Sequence, residues 1–222
     1  EANNFGIRKN VLKYDDVMNV QRNVIYKERR AVLDGEDMKD NIQEMLKEFV
    51  DVTVEQYSNG KSIELSDLKL AIENAYLPHG LLNFDEMKGL NKEQLKDYIK
   101  EVSQKYYAEK EEQIGSEQMR EIERVIMLMV VDRKWMDHID AMDQLRQGIG
   151  IRSYGQQDPV RAYGAEGFEM FNEMNASIRA DVLKGLFNIQ PAGAEIERER
   201  AAVEVSTNVQ DEQTTYVKGK EI

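Results

Sequence analysis

The sequence predicts an all-α fold, and three observations carry that prediction. Charged residues make up 32% of the 222 residues and hydrophobic ones 41%, while Pro is held to three, a balance that favours long helices over strands. Apolar residues recur three and four apart along most of the chain, which is the helical period. Helix start signals stand where those patterns begin, with Asn91 before one and Asp158 followed by Pro159 before another.

In chain order, Ile7, Val11, Tyr14, Met18, Ile25 and Val32 form the seam of one long helix, broken by Gln21 and Glu28. Asp34 and Gly35 interrupt or end it. A second pattern of Met38, Ile42, Met45, Phe49 and Val52 reaches Tyr57 before the turn cluster SNGKS at 58–62. A short helix is expected from Ser66 to Tyr76, then a loop holding Pro78, His79 and Gly80, then a helix capped by Asn91 with Leu95, Ile99, Val102 and Tyr106 on one face. Residues 34–115 read as a small acidic helical lobe.

From Ser116 the pattern strengthens through Met119, Ile122, Ile126, Met129, Trp135, Ile139, Met142 and Leu145. Between Val125 and Val131 it is apolar on every side, which predicts a helix packed all round. After the polar stretch GIGIRSYGQQDPV at 148–160, Phe168, Phe171, Met174, Ile178, Val182 and Leu186 repeat until Pro191. Two helices of about 30 residues joined by a turn of about ten make an antiparallel hairpin roughly 45 Å long. Residues 191–222 have few large apolar side chains and no sustained period, so the tail reads as disordered.

Composition excludes several functions. A net charge of −12 repels phosphate backbones, and no basic patch of useful size offsets it, so nucleic acid is not expected as a partner. With no cysteine in the chain, disulfides, thiolate zinc sites and cysteine nucleophiles are absent together. The longest apolar run, VIMLMVV at 125–131, falls far short of the ~20 residues a membrane helix needs. The chain opens on Glu1 and enters a periodic pattern almost at once, which reads as a fragment of a longer protein.

Chemical motifs are sparse. The GKS at 60–62 lacks the glycine a phosphate loop needs five residues earlier, where Glu55 stands. Asp137 and His138 are adjacent, so on a helix they point about 100° apart and share no ligand. His79 has no acidic partner nearby in sequence. Asp15 with Asp16 and Asp140 with Asp143 read as solvated helix faces. The NAS at 175–177 falls in the middle of a helix and is discounted as a glycosylation acceptor. Trp135 reads as core. The stretch at 148–160 differs, because a connector has no packing use for a Tyr flanked by Arg152 and Gln156. A working tip and a plain connector both remain open on these residues alone.

Two blocks, NFGIRKNVLKYDDVMNVQR near the start and RVIMLMVVDRKWMDHIDAMDQLRQGIGIRSYGQQDPV later, closely resemble the C-terminal half of the SecA family of ATP-driven bacterial preprotein translocation motors. The resemblance covers about residues 1–190. It implies a helical scaffold at 1–33 and 116–190, a helical wing at 34–115, and a hairpin that is the two-helix finger of the family. Tyr154 matches the fingertip tyrosine, with Arg152 and Gln156 beside it as further contacts to polypeptide or channel. Arg8 and Asp15 match scaffold positions implicated in coupling to the nucleotide-binding domains, and the hairpin around Trp135 matches the region that restrains ATP hydrolysis.

The implied partners are the SecYEG channel, a preprotein and the nucleotide-binding domains of the same motor, with a homodimer left open. The implied location is peripheral, at the cytoplasmic face of the bacterial inner membrane. ATP and Mg would be held by domains preceding Glu1, since no phosphate loop is present, and the fragment alone is expected not to be an enzyme. The family's Cys-rich zinc tail is not carried over, and no metal or other cofactor is expected. Two other readings stay in view: an inert helical interaction or oligomerisation module, and an independent enzyme built on Asp137, His138 and neighbouring carboxylates.

Overall fold

In the computed structural model the described residues are 2–34, 38–59, 62–152 and 158–190, with the backbone alone described for 2–11, 59 and 150–152. Among them are seven helices and one small hairpin: α1 (Ala2–Leu33), α2 (Met38–Gln56), β1 (Ser58–Asn59), β2 (Ser62–Ile63), α3 (Leu65–Ala75), α4 (Phe84–Met87), α5 (Lys92–Ile114), α6 (Ser116–Arg152) and α7 (Pro159–Phe187). The fold is all-α, as the composition and spacing predict. Glu1–Asn188 form one compact unit, and of the second, Ile189–Ile222, only the first two residues are described.

The start signals act as expected. The Asn91 side chain accepts from the Gln94 amide while the Gln94 side chain accepts from Asn91 N–H, a reciprocal cap that satisfies two otherwise orphaned donors. Asp158 accepts from Val160 N–H with Pro159 at the first helical position. Gly115 adopts φ +95 between α5 and α6, a conformation that favours glycine, and the chain turns there from one long helix into the next. The SNGKS cluster becomes the β1–β2 pair, Ser58 opposite Ile63 and Asn59 opposite Ser62. Its Gly60 and Lys61 lie outside the described residues. The small helix α4, capped by Asn83, is a feature the periodicity does not announce.

Several faces differ from those expected. In α2 the buried positions are Met38, Ile42, Leu46, Val50, Thr53 and Val54, and Val52 is exposed. In α5 they include Leu95, Ile99, Ser103 and Tyr107, with Val102 and Tyr106 only half-buried. The segment apolar all round in sequence is not buried all round: Val125 is 55% and Met129 58% exposed, while Met127, Val130 and Val131 are buried. On α7, Phe168 is exposed and Gly167 takes the buried place beside it. Gln21 continues the seam of α1 and does not break it, being buried itself.

The connector is also shorter than expected. α6 carries on through Gly148 and Gly150 to Arg152 and α7 begins at Pro159, so residues 148–152 belong to the helix. At 37 residues, α6 is about 55 Å long.

Candidate functional site

The most extensive packing in the fold is the α6–α7 hairpin with α1 laid along it. α1 runs antiparallel to α6, as three contacts in reverse order record: Arg29 with Asp132 at 2.8 Å, Gln21 with His138 at 2.9 Å, and Asp15 with Arg146 at 3.9 Å. The outer two are largely exposed and contribute little energy. The middle one is buried and joins three helices.

At that joint the Gln21 side-chain NH2 donates to the Gly167 carbonyl on α7 at 2.9 Å. Its oxygen is left facing His138 Nε2, so the imidazole donates there. Burial pushes the His138 pKa down and keeps the ring neutral, with the Trp135 and Phe171 rings 5.6 and 5.8 Å from it. Close approach is possible because α7 presents glycine: a Cβ on Gly167 would stand 2.6 Å from the Met142 methyl. Beyond the joint, Met142, Leu145, Ile149 and Tyr163 form a buried cluster with Tyr14, Val17 and Met18 of α1 against it. Tyr14 meets Tyr163 edge-on at 4.9 Å, an arrangement aromatic rings favour. Within the hairpin, Asp181 of α7 accepts from Arg133 and Lys134 of α6 at 3.0 and 2.9 Å. The brace therefore reaches most of the way toward the 153–157 link.

The residues singled out in the sequence fall unevenly on this frame. Trp135 is buried in the hairpin. Asp15 is exposed on α1 and faces Arg146. Arg8 lies on α1 and Arg152 is the last residue of α6, and nothing of their side chains is described. Tyr154 and Gln156 lie outside the described residues. His79 corrects its expectation, since Glu73 six residues earlier accepts from it at 3.2 Å. Glu73 is itself buried, and accepts also from Gly80 N–H and from Lys69. Burial pushes the Glu73 carboxyl up, but those donors outweigh it and hold the group below its usual range. The arrangement ties a loop down; among the described residues no group of His, Cys, Asp and Glu is set to hold a metal.

Gln21, His138 and Gly167 were missed as a set. A signal existed: 135, 138, 142, 145 and 149 advance by three and four, which puts His138 on the buried stripe as its polar member.

A family model described as the SecA wing and scaffold domain matches residues 1–190. The chain belongs to the SecA family. It is 54% identical to the protein translocase subunit SecA of Finegoldia magna over all of this chain and 25% of that protein. It is 50% identical to the same subunit of Clostridium novyi over 95% of this chain and 26% of that protein. With protein translocase subunit SecA 1 of Clostridioides difficile the identity is 51%, over 85% of this chain and 21% of that protein. This SecA chain thus spans about a quarter of the length of the curated relatives it matches. No helix among its described residues is long and apolar enough to cross a membrane.

Proposed function

We propose that this chain is the portion of a preprotein-translocating motor that converts ATP-driven motion elsewhere in the longer protein into a push on the moving polypeptide. Residues 1–33 and 116–190 are its helical scaffold, 34–115 its helical wing, and α6–α7 its two-helix finger. ATP and Mg belong to domains outside this chain. The finger enters the SecYEG channel at the cytoplasmic face of the membrane, and the hairpin around Trp135 restrains ATP hydrolysis.

The observation that carries this reading is the bracing of a 37-residue and a 29-residue helix against a third, through the Gln21–His138–Gly167 joint and the Tyr14–Tyr163 contact. A lever must resist bending, and a helix pair packed on a third long helix does so. Its contact end must grip many sequences without choosing among them. A Tyr suits that, because the ring buries apolar area while the hydroxyl stays wet, and Arg152 adds an apolar stem with a charged head. Gln156 completes the polar side of the contact. Arg8 and Asp15 on α1 couple the scaffold to the nucleotide-binding domains, and Trp135 stiffens the hairpin.

The test is preprotein transport by the complete motor carrying Tyr154→Phe, Met, Ala, Gly or Asp, with the thermal midpoint of each. Transport is expected to follow side-chain bulk, since Phe and Met keep most of the apolar contact and Gly and Asp almost none. Wild-type transport by the Ala, Gly and Asp variants would reject the fingertip role and favour an inert helical module. Parallel loss of transport and midpoint would make Tyr154 a structural residue.

A further inference from the structure

The hairpin has a far end and a root, and one face of α5 holds the root together with α2, whose Glu48 meets Arg179 of α7 at 3.3 Å. Phe187, the last residue of α7, is 1% exposed. Its ring sits among three tyrosines, with centroids 4.8 Å from Tyr76, 5.9 Å from Tyr106 and 5.7 Å from Tyr107. Its carbonyl, one of the four that a helix end leaves without an intrahelical partner, accepts from the Lys110 ammonium at 2.6 Å and from the Tyr106 hydroxyl at 3.5 Å. A cation at the negative end of a helix dipole is favourable, and burial strengthens the contact.

The neighbouring residues on α5 grip the first turns of α6. Tyr107 donates to the fully buried Glu123 carboxylate. Arg120 bonds both Glu123 and the α5 residue Glu111, each at 2.9 Å, and Lys39 at the start of α2 reaches Glu111 at 2.9 Å. Residues 106, 107, 110 and 111 thus hold both legs of the hairpin where they leave the α2–α5 segment. Tyr76 is fixed in turn, its hydroxyl 2.8 Å from Ser103 Oγ, which donates to the Ile99 carbonyl.

A clasp at this point matters because of leverage. α7 spans 29 residues, about 43 Å, so an angular play of about 5° at its root displaces the far end by about 4 Å. Such a displacement is as large as a side-chain contact, and a push delivered through a loose root is lost as rotation. The α6–α7 packing cannot prevent this, since it holds the two legs to each other and not to the base.

We propose that Phe187 and Lys110 are positioning residues for translocation: with Tyr106 and Tyr107 they lock the angle of the α6–α7 hairpin on the α2–α5 segment, so that the far end delivers force and does not yield. The inference rests on the lever reading above. Phe187 supplies the shape of the lock and Lys110 its directional bond. Burial of the Lys110 amine pushes its pKa down from the ordinary lysine value.

The test uses the complete motor with cysteines at Asp97 on α5 and Glu169 on α7, both exposed, spin-labelled in an otherwise cysteine-free protein. Lys110→Met keeps the buried stem and removes the charge; Phe187→Leu keeps apolar bulk and removes the ring; Lys110→Arg keeps a donor. The Met and Leu variants are expected to broaden the inter-label distance distribution and to raise ATP hydrolysed per preprotein transported several-fold, with Lys110→Arg nearer the unsubstituted protein on both. A merely structural role would lower hydrolysis and transport together and leave their ratio unchanged, which overturns the proposal. A distance distribution unaltered in both variants, or a broadened one with normal ATP per preprotein, overturns it as well. Tyr154→Ala measured alongside separates the two ideas: impaired transport there with normal Lys110→Met and Phe187→Leu proteins rejects only the clasp, whereas normal transport by Tyr154→Ala rejects the lever.

Discussion

His138 is a buried base set among neutral side chains, and that gives it a pH signature. Its ring meets Gln21, Trp135 and Phe171, all neutral, and desolvation lowers its pKa. The folded state therefore prefers the neutral ring more strongly than the unfolded chain does, so the associated stability is complete above the unfolded value of about 6.5 and is lost as pH falls through it. The thermal midpoint of this chain is expected to drop between pH 7.5 and 5.5, and His138→Gln, which keeps a neutral donor toward Gln21, is expected to flatten that slope. An equal slope in both proteins would assign the effect to other groups. Glu73 acts at lower pH: its carboxyl is held below its usual range by Gly80, His79 and Lys69 after burial has opposed them, so its contribution persists until the carboxylate is protonated.

At the scale of elements, glycines on one face of α7 set how closely the helices approach. A Cβ on Gly164 would touch only Val17 Cγ2, at an ordinary 3.9 Å, whereas one on Gly167 would stand 2.6 Å from Met142 Cε and 3.2 Å from its sulfur. Met142 is buried in the cluster it would have to leave, so its flexible end has little room. Gly164→Ala is expected to stabilise by about 0.5–1 kcal/mol through helix propensity. Gly167→Ala, one turn away, is expected to destabilise by about 1–3 kcal/mol through overpacking. Denaturant midpoints of the two variants check this, and shifts of the same sign would refute it. The helices themselves were legible from spacing and caps, as Asn91 and Asp158 demonstrate. Their faces lie about one position away from where Val52, Val102, Met129 and Phe168 point, because a large apolar residue does not by itself mark the core. The true stripes pass through Gln21, Thr53, Ser103, Glu123, His138 and Gly167. Polar side chains are tolerated there by hydrogen bonds, several of them to partners far along the chain, and local periodicity carries no trace of such partners.

For the whole molecule, membership of the SecA family was legible in two blocks of sequence, while the residues expected at the fingertip, Tyr154 and Gln156, lie outside the described structure. What local pattern could not reveal is the order of assembly. The bonds from α1 reach across 103, 117 and 146 residues, from Arg29 to Asp132, Gln21 to His138 and Gln21 to Gly167. α2 reaches α7 over a comparable span, as Glu48 with Arg179 records, whereas α6 and α7 meet across a short link. Contacts of long separation form late, since loop closure precedes any gain from them. α1 is therefore expected to acquire amide protection after α6 and α7 in pulse-labelled hydrogen exchange during refolding; simultaneous or earlier protection of α1 would refute that order. During synthesis the same geometry has a sharper consequence. Within this chain α1 leaves the ribosome before α6 and α7, and its buried Ile25 and Val32 wait for those helices while roughly a hundred further residues are made. Over that interval the face of α1 that α6 and α7 will cover lacks those two partners, so the yield of the native packing depends on what shields that face until they arrive.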